Sequence, residues 1–314
     1  LVGYMDSDTF LGGSLTLDID TARQIFDKQI AQPLGLSVEE AAFGIFRIAA
    51  AQITDLIHEI TVERGLDPRD YVLHAFGGSC PILASMFGEE LSVKSVIVPY
   101  TASVNCAFGL VSADISHEYS VATTLPSSED PATINKLYEP MIEKAIQQLR
   151  TEGFSDEDIQ LNWSIDFRYA RQVHEVTTPV NGITPLDSPA LKRLVHDFEQ
   201  LYERKYGKGS AYREAGIEMT MYRLSASGSL NRPKIQTETL GSSDASSAKI
   251  NQREIFVDAR DGMATADIYD FAKIHAGNKV FGPAVIHTPI TTIVVQDRQC
   301  ARMDEFRNIV IEFE

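Results

Sequence analysis

The chain has 314 residues, 44% of them hydrophobic and 23% charged, with a formal net charge of −16; that length suggests about two domains, each able to bury a core. The acidic balance and the lack of any basic run exclude a nucleic-acid or anionic-membrane surface, which needs clustered Lys and Arg. Cys80, Cys106 and Cys300 are odd in number and far apart, which excludes a disulfide framework or zinc ligand set, and with no apolar run of about 18 residues and no basic-then-apolar leader the protein reads as cytoplasmic.

The opening Leu1-Val2-Gly3-Tyr4-Met5 lacks an initiator Met and reads as a fragment or a processed chain. Residues 7–20 are polar and Gly-rich, a loop by composition, and 18–30 have helical spacing with Asp20 or Thr21 as the cap. A longer helix follows. Ser37 and Glu40 form a capping box, and Ala42, Ile45, Phe46, Ala49, Ile53, Leu56, Ile57 and Ile60 recur at three and four residues as its core face. Gly65 ends it before Asp67-Pro68.

The next stretch, Tyr71-Val-Leu-His-Ala-Phe-Gly-Gly-Ser-Cys-Pro81, reads as a buried strand that stops at a glycine pair and turns into a helix near 81–89. A Gly pair lets backbone approach a ligand, and the N–H groups opening the helix favour negative charge or a polar ring edge. The same residues also suit a tight turn with no ligand. Residues 93–99 read as another strand and 101–114 as loop then helix, an order that predicts an α/β layer with a mainly parallel sheet. In such sheets ligands sit beyond the carboxyl ends of strands, where Gly77 and Gly78 fall.

Residues 117–125 alternate as a strand, and 134–152 form an amphipathic helix with Leu137, Met141, Ala145 and Leu149 on one face and Pro140 as a kink or late start. The period then becomes two over 161–169 and 173–180, a hairpin or two adjacent strands. A helix at 191–206 and a strand at 217–230 complete an α+β layer. Residues 231–252 are Ser/Thr-rich and read as a linker or mobile loop, and short strands at 254–257, 264–269, 282–287, 291–295 and 308–313 suggest a small β-rich module. The predicted domains are therefore an α/β lobe over 1–125, an α+β region over 126–230, the linker over 231–252 and the β-rich module over 253–314.

Asp6-Ser-Asp-Thr-Phe-Leu-Gly-Gly, Leu36-Ser-Val-Glu-Glu-Ala-Ala-Phe-Gly-Ile, Thr61-Val-Glu-Arg-Gly-Leu-Asp-Pro-Arg-Asp, Ala75-Phe-Gly-Gly-Ser-Cys-Pro, Phe108-Gly-Leu with Ala113-Asp114, Phe167-Arg-Tyr, Lys205-Tyr-Gly and Phe281-Gly-Pro-Ala-Val-Ile stand in this order along nearly the whole chain. Together they resemble the C-terminal half of the ATP-binding subunit in the hydantoinase A, 5-oxoprolinase and acetone (acetophenone) carboxylase family. The resemblance implies an α/β fold: the second half of an actin/sugar-kinase/heat-shock-chaperone-like ATPase core, followed by an α+β region and a small β-rich C-terminal module. It implies ATP as cofactor, with Phe76, Gly77, Gly78 and Ser79 matching the adenosine-binding segment. Most phosphate and Mg²⁺ contacts are expected from sequence upstream of Leu1, so the chain alone should not turn over ATP. The implied partners are that missing N-terminal half and a hydantoinase B-type second subunit or domain.

The implied activity is ATP-dependent hydrolysis of a cyclic amide such as a hydantoin or 5-oxoproline. Alternatives are a ketone carboxylase subunit and a non-catalytic scaffold that keeps the fold. The resemblance assigns no catalytic residue and no metal ligand within the chain. Two positions depart from the family pattern: Leu83 stands where a histidine is common, and Arg171 replaces glycine in Arg168-Tyr-Ala-Arg-Gln172.

Glu59 and Glu63 suit either a carboxylate pair or a solvated helix face, and His58 lies near the apolar stripe of its helix. Asp166 with Arg168, and Gln172 with His174, line either a pocket or a solvated sheet face. Cys80 near a helix N-terminus has the position of a low-pKa thiol, and Asp114 that of a turn cap.

Overall fold

The computed structural model describes residues 1–8, 10–181, 185–258 and 262–313. Two compact units divide the chain: unit 1 is Leu1–Leu110 with Lys234–Glu314, and unit 2 is Val111–Pro233. The helices are α1 (Ile19–Phe26), α2 (Gln32–Leu34), α3 (Val38–Val62), α4 (Cys80–Glu90), α5 (Asn105–Ser112), α6 (Pro131–Thr151) and α7 (Ser188–Tyr206). The strands are β1 (Val72–His74), β2 (Ser95–Val98), β3 (Ile115–Pro126), β4 (Ile159–Tyr169), β5 (Val176–Pro179), β6 (Ile217–Gly228), β7 (Lys249–Asp258), β8 (Gly262–Asp270), β9 (Lys279–Phe281), β10 (Ala284–His287), β11 (Thr292–Val295), β12 (Gln299–Met303) and β13 (Ile309–Phe313).

Unit 1 holds a five-stranded sheet ordered β1-β2-β13-β12-β9 and a four-stranded sheet ordered β11-β10-β8-β7. In the first, only β1 and β2 run parallel, with Val72 opposite Ser95 and His74 opposite Ile97; β13, β12 and β9 join antiparallel. The predicted mainly parallel sheet is thus mixed, because its middle is filled by strands from the far end of the chain. Nor is β1 a buried strand. It is outermost in the sheet, and Val72 and His74 are exposed. The β10–β11 pair is buried on both faces: Ala284, Ile286, Ile293 and Val295 enter one core with Val96 and Ile311, while Val285 and Val294 enter another with Tyr4, Phe43 and Ile268. Two-sided burial explains why these strands read as continuous apolar runs rather than alternating ones.

The predicted capping box forms: the Ser37 hydroxyl accepts from the Glu40 N–H at 3.2 Å and the Glu40 carboxylate accepts from the Ser37 N–H at 2.9 Å. On α1 the cap is Asp18, which accepts from the Thr21 N–H, rather than Asp20 or Thr21. α3 packs through Ala41, Ala42, Phe43, Ala50 and Thr54, whereas Ile45, Ile48, Leu56 and Ile60 are exposed. The helix is apolar on two sides, and a 3.6-residue period cannot say which side meets the core.

Unit 2 is an antiparallel sheet ordered β3-β6-β4-β5, packed with α6 and α7 around one core. α6 buries Ile134, Tyr138, Met141, Ala145 and Leu149, and Pro140 lies inside it on the exposed side, where a missing N–H leaves a carbonyl facing water. α7 buries Leu191, Leu194, Phe198 and Tyr202. Tyr138 stacks on Trp163 with ring centres 3.9 Å apart.

The predicted domain limits shift accordingly. β3 pairs with β6 along its length, so the first boundary falls at 110 rather than 125. Residues 231–252 do not form a free linker: the Glu238 N–H donates to the Glu305 carbonyl, Gly241 to Ala276, and Asn278 donates to the Ser242 and Asp244 carbonyls. Residues 253–314 are not a separate module, because β13 lies between β2 and β12.

Candidate functional site

β1 ends at His74, and the chain passes through Ala75 to Ser79 before α4 begins at Cys80. Ala75 is buried and donates to the Ile97 carbonyl at 2.8 Å, continuing the parallel ladder. The Gly77 N–H then donates to the Ala102 carbonyl at 2.7 Å. Gly77 has φ +95°, a conformation that L side chains rarely adopt. Gly78 has no such constraint. A Cβ built at either residue meets nothing within 4 Å, so both glycines border open space. Among the described residues no acceptor is present for the Gly78 and Ser79 N–H groups. Ser79 is the N-cap of α4, is exposed, and makes no side-chain cap bond; Pro81 has no N–H and the Ile82 N–H donates to the Ser79 carbonyl at 3.1 Å, so the donors left at this turn include the Gly78 and Ser79 amides and the Ser79 hydroxyl. Phe76 flanks the turn and is 42% exposed.

Two recesses in unit 1 share the turn that joins β10 to β11. One, of about 50 Å³, is lined by Asp6, Phe10, Gly78, Ile82, His287 and Thr291 among others. The other, of about 280 Å³, is lined by Tyr100, Ala102, Val104, Phe271, Pro289 and Ile293 among others. Asp6 is held by Arg253 at 3.1 Å, and the His287 Nε2 is buried without a hydrogen-bond partner among the described residues. Burial, and then the Arg253 charge, hold the His287 imidazole below its ordinary value of 6.5, against the opposing pull of Asp6 and Asp270. Sequence reasoning gave Asp6 and His287 no role. They converge on Gly78 only through folding, from positions 6 and 287, and the one signal was that each lies in or beside a quoted motif. Thr9 of the first motif is outside the described residues.

The motif Phe281-Gly-Pro has a backbone reason. A Cβ on Gly282 would lie 1.8 Å from the Gln296 carbonyl oxygen, so only glycine lets the two segments touch.

The remaining candidates lie elsewhere. Cys80 is half-buried, and burial pushes its thiol above its ordinary value, outweighing a backbone hydrogen bond from Phe76; the expected low-pKa thiol is not found. Leu83 packs against the large core of unit 1. His58, Glu59 and Glu63 sit on an exposed helix face. In unit 2, Asp166 is 2% exposed and accepts from Arg223 at 2.7 Å and from Thr177 at 2.6 Å, while Arg168 pairs with Glu218 at 2.9 Å. These are cross-strand ion pairs on the sheet face turned away from the helices. Gln172 accepts from the Tyr202 hydroxyl, and the His174 ring lies against Tyr206. Arg171 stands at φ +70°, a backbone state that accounts for a glycine there. Asp114 accepts from the Leu230 N–H and from Arg232, holding the end of β6 rather than a neighbouring turn. Among the described residues no three His, Cys, Asp or Glu side chains could hold a metal ion, and no helix is long and apolar enough to cross a membrane.

Comparison with known proteins gives a consistent result. A hydantoinase/oxoprolinase model matches residues 1–119, and a hydantoinase/oxoprolinase C-terminal domain model matches residues 124–312. The chain is 30% identical over 300 residues to the caprolactamase subunit alpha of Pseudomonas jessenii, covering 94% of this chain and 42% of that protein. It is 29% identical over 310 residues to the acetone carboxylase beta subunit of Xanthobacter autotrophicus, covering 95% of this chain and 42% of that one. A nucleotide-free structure of acetone carboxylase, from work on ATP-dependent acetone carboxylation, superposes with a TM-score of 0.87 at 27% identity, covering 98% of this chain and 45% of the other. The chain thus spans about two fifths of the length of these relatives.

Proposed function

The chain belongs to the hydantoinase/oxoprolinase family, and on that premise we propose that it supplies the adenosine-holding part of an ATP-dependent enzyme that opens a cyclic amide by hydrolysis. The observation that carries this reading is the glycine turn, where backbone amides and the Ser79 hydroxyl border open space at the start of α4. A side chain at either glycine would fill the space a ligand needs, which is the condition for close backbone approach. Gly77, Gly78 and Ser79 would hold the nucleotide through their backbone and the Ser79 hydroxyl, with the Phe76 ring beside it. ATP, when bound, supplies a phosphoryl group that turns an unreactive amide or enol oxygen into a leaving group. The parallel β1–β2 pair with the turn at its carboxyl end suits the second half of an actin/sugar-kinase/chaperone-like ATPase core. Phosphate and Mg²⁺ contacts would come from polypeptide outside this chain, and a hydantoinase B-type subunit would complete the enzyme in the cytoplasm.

Ketone carboxylation is the second reading. It is favoured by the 0.87 TM-score with acetone carboxylase and by an identity to its beta subunit close to that of the caprolactamase. Assaying ADP release by the intact enzyme with cyclic amides, and with ketones plus bicarbonate, separates the two; if neither class stimulates release, both fail and a non-catalytic scaffold remains. The turn itself is tested by Gly78→Val, whose side chain enters open space without a φ penalty. It should leave the fold intact and weaken ATP binding at least about tenfold, measured by nucleotide titration. Unchanged affinity removes the turn from the site.

A further inference from the structure

Residues 288–291, between β10 and β11, are bent by their own side chain. The Thr288 hydroxyl donates to the Thr291 carbonyl at 2.8 Å and accepts from the Ile290 and Thr291 N–H groups at 3.3 and 2.9 Å. This fixes Thr291, which is 9% exposed, and its own hydroxyl donates to the Gly78 carbonyl at 2.8 Å across 213 positions of sequence. A trans peptide is planar with its C=O and N–H antiparallel. Holding the Gly78 carbonyl toward Thr291 therefore turns the Ser79 N–H the opposite way. On the preceding side, the bond from Gly77 to Ala102 fixes the Phe76–Gly77 peptide in the same manner. Two protein-side hydrogen bonds thus set the orientation of a glycine pair that would otherwise sample many conformations.

We propose that Thr291 is a positioning residue of the nucleotide site: by holding the Gly78 carbonyl it presents the Ser79 amide to the ligand before binding. The proposal rests on the reading that this turn binds ATP, and adds a residue that neither the glycine motif nor its spacing singles out. The Thr291 hydroxyl gives its proton to the Gly78 carbonyl and not to the open side of the turn. The hydroxyl, not the bulk of the side chain, carries the effect, so Thr291→Val and Thr291→Ser separate the two.

In the intact protein without nucleotide, amide exchange of Gly77 and Ile82, whose N–H groups donate to the Ala102 and Ser79 carbonyls on either side of the braced peptide, reads how firmly the turn is held, and ATP titration with steady-state kinetics reads its consequence. Thr291→Val should speed exchange of both amides and raise the Kd and KM for ATP, each about tenfold, with kcat at saturating ATP within about twofold. Thr291→Ser should behave as the unaltered protein. Unchanged exchange in Thr291→Val, or Thr291→Ser as impaired as Thr291→Val, overturns the proposal. If exchange quickens while ATP affinity holds, and Gly78→Val still weakens binding, the positioning role falls and the nucleotide reading stands. If neither Thr291→Val nor Gly78→Val changes ATP affinity, both fall.

Discussion

Arg171 occupies a left-handed backbone position, which costs a non-glycine residue about 1–2 kcal/mol. It is exposed, so Arg171→Gly should stabilise unit 2 by about 0.5–1 kcal/mol once the greater freedom of glycine in the unfolded chain is subtracted. Denaturant unfolding followed by Trp163, the chain's single tryptophan and a core residue of unit 2, measures this; a loss of stability would show that Arg171 makes contacts worth more than its strain. His287 behaves differently because its constraint is electrostatic. Its folded pKa lies below 6.5, so between the two values the unfolded chain binds the proton first. Stability is therefore full above about pH 6.5 and is lost as pH falls from there through the lower folded value. The thermal midpoint of the unaltered protein should fall more steeply as the pH drops below about 6.5 than that of His287→Asn, and parallel curves would mean that the imidazole is solvated.

At the scale of elements, caps and glycines were the best guides. The Ser37/Glu40 box begins α3 where the spacing placed it, because a cap is set by residues three apart and needs nothing distant. Ser37→Ala should cost about 0.5–2 kcal/mol, read as a lower unfolding midpoint with an unchanged slope; a changed slope would mean that α3 frays well beyond its first turn. The strand–Gly-Gly–helix succession was legible for the same reason, since a glycine pair before a proline-started helix is local chemistry. Two strands were missed, β9 and β12. Lys279–Phe281 and Gln299–Met303 are too short to show an alternating signal and are poor in β-branched residues, and they become strands because β12 is paired on both sides. The burial of the His287 Nε2 and the Thr291 brace were likewise beyond local reading, as both arise only where β10 and β11 are brought against Gly78.

For the whole molecule, the main consequence is that the last strand is interior to a sheet. β13 is hydrogen-bonded to β2 and β12, and its Ile309 and Ile311 are buried in the large core of unit 1. Deleting residues 309–314 should expose unit 1 to protease while Trp163 keeps the blue-shifted emission of a buried indole, because unit 2 has its own core. A red shift on deletion would show that the two units fold as one. The amino-acid sequence by itself determined the acidic surface, the helix caps, the glycine turn and the family resemblance, all of which depend on composition or on residues near one another in the chain. Only the tertiary structure decided that β1 is an outer strand, that β3 belongs with the middle unit, that the C-terminal strands complete the first sheet, and that Thr291 and His287 meet the glycine turn. Strand pairing and burial join residues hundreds of positions apart, and a period of two or 3.6 fixes which residues share a face without fixing what that face will meet.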